Sequence, residues 1–166
     1  MFKPSMFCFS ILVNLVFLGV ASYCNADTVP IDFDQWEVKV SNGRIQTIQF
    51  SSHPMGEALE SRVQSERGQS VNYAGRYHLF AVGCGTMCQS FIAVDVYTGK
   101  IIDSVTASAG ACYFPDSSMI VVNPEIYQMY DGQLPDWAFT RYYRMTQDGF
   151  LEFYKSKEPY LGQCNN

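Results

Sequence analysis

Four cysteines, Cys84, Cys88, Cys112 and Cys164, constrain this chain more than any other feature. They lie downstream of an apolar N-terminal run, and an even number of cysteines in an exported chain reads as a disulfide framework. The expectation of export rests on Met1–Ala26 as a signal peptide. Lys3 supplies the positive start, and Met6 to Ala21 is apolar apart from Ser10, Asn14 and Gly19. Cys24-Asn25-Ala26 then offers a small-x-small cleavage site. Bulky Tyr23 argues against a lipidated Cys24. An uncleaved anchor is the remaining rival, because the run approaches the lower limit of about 17 residues for a spanning helix. No second run of that kind follows, so the exported part, 27–166, is expected as a single β-rich domain. It would be periplasmic or secreted, with no stable membrane insertion after cleavage.

Four cysteines allow three connectivities. The expected one joins Cys84 to Cys88 and Cys112 to Cys164. The second bond closes a long loop, a constraint of about 4 kcal/mol in the chain-entropy model. The first closes a short loop worth about 2 kcal/mol at best, so its purpose is shape rather than stability. It needs a tight reversal to bring the Cα atoms close enough, and Gly85 permits one.

Composition narrows the class. With 48% apolar and 16% charged residues the chain has the means to build a core. A net charge of −5 excludes nucleic acid as a partner held by general electrostatics.

Turn signals organise the rest. Asn42-Gly43 separates Trp36–Ser41 from Arg44–Phe50. Thr98-Gly99 separates Phe91–Tyr97 from Lys100–Val105, and Asp148-Gly149 separates Thr140–Thr146 from Phe150–Lys155. Each predicts a hairpin. Trp36, Val38 and Val40 alternate with polar residues, giving one solvent face. Around Ile92, Val94 and Val96 the neighbours are apolar too, which predicts a central strand covered on both faces. Tyr77–Gly83 and Met119–Val122 add strands. Met55, Leu59 and Val63 recur every four residues, and with Pro54 and Gly68 at the ends they predict a helix over 54–66. Asn123 to Asp136 reads as the longest loop, bordered by Tyr127, Tyr130 and Trp137. The expected fold class is α+β and mainly β: an antiparallel sheet or sandwich of hairpins with one short helix in the N-terminal half.

The densest stretch is Asn72-Tyr73-Ala74-Gly75-Arg76-Tyr77, followed by Gly83-Cys84-Gly85-Thr86-Met87-Cys88-Gln89 and then Asp95-Val96-Tyr97-Thr98-Gly99-Lys100. This succession resembles an uncharacterised family of small exported bacterial proteins. Its pattern is Asn-Phe/Tyr-Ala-Gly-x-Tyr, then Gly-Cys-Gly-Thr-x-Cys, then Asp-x-x-Thr-Gly-Lys. The resemblance continues through Ser118–Asn123 and Thr140–Tyr143. It implies architecture and export and carries no activity. Arg76 stands where that family usually has His.

From the residues themselves, glycines flanking Cys84 let the chain bend and approach another backbone closely. Asn72, Arg76, His78, Gly83, Gly85, Thr86 and Gln89 are the candidate binding residues around such a loop. A stapled hairpin without a ligand is the plainer alternative. No catalytic residue, cofactor or metal site is assigned. Cys-x3-Cys lacks the spacing of a redox Cys-x-x-Cys motif, and zinc would need two further ligands where the chain has only His53 and His78. Asp95 is expected to accept hydrogen bonds from the Thr98–Lys100 turn. The functional expectation is an exported, disulfide-stabilised module that binds a protein or other envelope macromolecule, with an inhibitor or immunity-like role as the subtype. The alternative is a small envelope enzyme, either of thiol–disulfide type through Cys84 and Cys88 or a hydrolase through Asp95 and His78.

Overall fold

Alternation of apolar residues along the central strands builds this molecule from the inside out. The computed structural model describes residues 31–54, 56–131 and 133–164, so the signal peptide expected over 1–26 lies outside the described residues. Seven strands form two antiparallel sheets. The first contains β1 (Tyr77–Gly85), β2 (Cys88–Asp95) and β3 (Ile101–Ala107) in that order. The second contains β4 (Ala111–Tyr113), β5 (Met119–Val122), β6 (Thr140–Thr146) and β7 (Gly149–Ser156). Two short α-helices, α1 (Gly56–Val63) and α2 (Ile126–Met129), and 3-10 turns at Phe33–Trp36, Phe50–Ser52 and Gln64–Glu66 accompany them among the described residues. The fold is α+β and mainly β.

Each sheet has two covered faces. In the first, Phe91 and Ala93 of β2 point inward with Leu79, Val105 and Ala107, and they meet Ile120 and Val122 of the second sheet. Ile92 and Val94 point the other way, and Leu59 and Val63 of α1 cover them together with Ile45, Ile48 and Val71. That is the central, doubly covered strand that its sequence predicts. Met119, Val121 and Tyr142 form the outer face of the second sheet, beneath Phe33 and beside half-buried Trp36 and Phe153. Asp103 ties the two sheets together by accepting a hydrogen bond from the Phe150 amide at 2.9 Å.

The hairpins at Thr98-Gly99 and Asp148-Gly149 form as expected, as β2–β3 and β6–β7. The hairpin expected at Asn42-Gly43 does not. Residues 36–50 instead make a strap with single bridges, Glu37 to Ser117, Arg44 to Ser70 and Gln49 to Lys100. The physical reason is that one segment serves both outer faces: Phe33 and Trp36 pack on the second sheet, Ile45 and Ile48 on the first. Gly43 allows the close passage, since a Cβ there would lie 2.4 Å from Val96 Cγ2. The predicted helix is shorter than expected: α1 ends at Val63 and Gln64–Glu66 tighten into a 3-10 turn. The expected loop after Asn123 contains α2.

Both expected disulfides are present. Cys84 and Cys88 have Cα atoms 5.1 Å apart, and those of Cys112 and Cys164 are 5.4 Å apart. The second bond anchors an exposed Cys164 to a fully buried Cys112. Among the described residues, no helix is long and apolar enough to cross a membrane.

Candidate functional site

The β1–β2 hairpin ends in the Gly-Cys-Gly-Thr-x-Cys element. Gly83 opposes Gln89 and Gly85 opposes Cys88, so Cys84 is the extra residue of a β-bulge. The bulge is what turns Cys84 toward Cys88. Gly85 has φ +144° and Met87 φ +53°, so the chain reverses within Thr86-Met87. From Gly83 to Gln89 every residue is exposed except half-buried Cys88, and Met87 is 50% exposed. The tip is thus a short, crosslinked, solvent-facing hairpin held at the end of a sheet that is packed on both faces.

Its two glycines differ from Gly75 and Gly99, though Gly68 and Gly110 share the open space and, with Gly85, a positive φ. Gly75 has φ +71° and lies against the strap, where a Cβ would sit 2.4 Å from the Lys39 carbonyl oxygen. Gly99 has φ +72° and faces the Thr47 backbone at a distance that no Cβ could share. Those two glycines are required by packing. At Gly83 and Gly85, among the described residues, no atom lies within 4 Å of where a Cβ would be. Gly85 answers to a backbone angle, but Gly83 answers to neither angle nor crowding. An exposed strand glycine with open space over it marks a place where another molecule's backbone can come close.

The remaining candidate residues are engaged inside the fold. Asn72 pairs with the Leu79 backbone: its amide donates to Leu79 O at 2.8 Å, and its carbonyl oxygen accepts from Leu79 N at 2.6 Å. Arg76 grips Asp95 through Nε and Nη2, both 2.7 Å from Oδ2, and lies 5.6 Å from the centre of the Tyr97 ring. Asp95 Oδ1 accepts from the amides of Tyr97 and Thr98, so this carboxylate organises the turn as expected. His78 is buried, with Nδ1 2.8 Å from Ser70 O and Nε2 3.0 Å from Glu66 Oε2.

Arg76 and His78, two of the candidate binding residues, are each paired with a carboxylate of the fold, Asp95 and Glu66. Asp95 and His78, the pair of the hydrolase alternative, have separate partners: Arg76 and the turn amides for Asp95, Ser70 O and Glu66 for His78. The aromatic border after Asn123 divides: Tyr130 packs edge-on to Trp137 at 5.9 Å, while Trp137 stays 60% exposed. A groove went unrecognised in the sequence. A cavity of about 530 Å³ lies beside Gly83, Cys84 and Gly85, between the hairpin and α1. The signal that would have found it is the pair of serines, Ser90 and Ser104, among otherwise large residues.

The Asn72–Tyr77 and Asp95–Lys100 elements therefore explain themselves structurally. Tyr73 is fully buried and donates to Ser118 O at 2.9 Å, and Gly75 N donates to Pro115 O at 2.7 Å. The hairpin tip, by contrast, keeps an exposed turn outside these contacts. Comparison with protein-family models, with curated proteins and with solved structures found no match.

Proposed function

We propose that this chain is an exported binding module that presents the Gly83–Gln89 hairpin tip to a protein partner. The observation that supports it most is the contrast among its glycines. Gly75 and Gly99 are used up by internal contacts, whereas Gly83 keeps an open approach on an exposed, crosslinked tip. A rigid tip loses little conformational entropy on docking, which favours affinity from a small contact. Thr86 and Gln89 supply side-chain donors and acceptors there, and backbone groups of the turn add more. An inhibitor or immunity-like role fits a small, acidic, disulfide-stapled module of this kind.

The test is affinity capture with the chain from Asp27 onward, using envelope extract and culture medium, beside a Gly83→Arg variant. A Cβ at this position points into open space, so melting temperature should change little. A partner retained by the natural chain and lost by Gly83→Arg supports the reading. Recovery of no partner, or equal recovery by both proteins, overturns it.

A further inference from the structure

The first sheet is filled unevenly on its α1 side. Toward one end, Phe80, Val94 and Ile101 are covered by Ile45, Ile48 and Val63. Toward the hairpin end the residues shrink. The register sets Val82 opposite Ser90 and Ile92 opposite Ser104, and α1 contributes Ala58 beside Leu59. Small side chains on both floor and wall leave the 530 Å³ cavity, within the range of about 300–1,000 Å³ typical of small-molecule sites.

Its chemistry is selective. Ala58, Leu59, Val82 and Ile92 make an apolar lining. Ser90 and Ser104 line it as well and bring hydroxyl groups to its strand side. A hydroxyl can both donate and accept. His53 is the titratable residue of its described lining, and no lysine, arginine, aspartate or glutamate joins it there, although the chain as a whole is acidic. Beside a neutral His53, an ionic group bound there would lose its hydration without gaining a counter-charge.

We propose that this cavity binds an uncharged, mainly apolar small molecule carrying a hydrogen-bonding oxygen, of the class of a medium-chain alcohol or ester. The aliphatic body lies against Leu59, Val82 and Ile92, and the oxygen meets Ser90 and Ser104. This site is separate from partner capture by the tip, although Gly83 to Gly85 border both.

The experiment uses the chain from Asp27 onward with the neutral dye N-phenyl-1-naphthylamine, followed by displacement with 1-decanol, decanoate and decylammonium. Saturable fluorescence is expected, with decanol displacing the dye at concentrations about tenfold lower than either ion, equivalent to about 1.4 kcal/mol. Ser90→Phe and Ser104→Leu fill the cavity from two strands. Whichever of them keeps the near-ultraviolet circular dichroism of the natural chain should bind the dye at least about tenfold more weakly. Absence of saturable binding, equal displacement by the ions, or undiminished binding in a folded filled variant overturns the proposal. The two readings fail separately: a natural chain that binds the dye but captures no partner leaves this site standing and sinks the other, and capture without saturable dye binding does the reverse.

Discussion

Tyr73 sits in the middle of the inter-sheet core, stacked 6.0 Å from Phe150 and edge-on to Tyr113, with its hydroxyl satisfied by Ser118 O. Tyr73→Phe should therefore cost about 1 kcal/mol, the value of one hydrogen bond, and Tyr73→Ala about 3–5 kcal/mol, measured by urea unfolding. Burial raises the ionisation of this phenol above the ordinary tyrosine range. Tyr160 is pushed up to about 12, first by burial and then by Tyr142 and Asp32. A phenol whose folded value exceeds its unfolded one contributes fully below the unfolded value, about 10. That contribution is lost as pH climbs from about 10 toward 12, so stability should fall across this window. Absorbance at 295 nm should show late-titrating tyrosines, and Tyr160→Phe should flatten the loss. At this scale the sequence was readable where partners are close along the chain: Asp95 and its turn amides are two and three residues apart. It was not readable for His78 and Arg76, whose carboxylates lie 12 and 19 residues away.

Strands bounded by a turn and long enough to alternate were legible, which is why β2, β3, β6 and β7 follow their glycine-containing turns. β4 has only three residues, too few for a period to show. The strap misled for a different reason. Its glycine at position 43 resembles a turn glycine but answers to crowding against Val96, and Ile45 and Ile48 are spaced by three rather than two. Periodicity reports one buried face at a time, and the strap serves two. The strap also explains Gly99, whose carbonyl accepts from Gln49 N at 2.7 Å. Gly99→Ala would place a methyl group in the Thr47 backbone at a positive φ. A loss of more than about 1 kcal/mol is expected, the ordinary penalty for a left-handed angle plus the displaced contact. Hydrogen exchange should show faster protection loss at Gln49 than in β2.

Across the molecule the two disulfides divide the work. Replacing Cys112 and Cys164 together by serine should lower unfolding free energy by about 4 kcal/mol, because their bond closes a long loop. The same change at Cys84 and Cys88 should remove at most about 2 kcal/mol and leave circular dichroism intact while loosening the tip. Spacing alone could suggest these pairings; the bulge that makes the first one possible emerges only when β1 finds its register. β1 is also an outer strand of its sheet, and the Asn72 amide occupies the Leu79 backbone groups that a neighbouring strand would take. One side chain thereby acts as a guard against chain-to-chain zippering. Asn72→Ala should leave that border open to a second molecule, and concentrated solutions of the variant should grow thioflavin-positive fibrils sooner than the natural protein does.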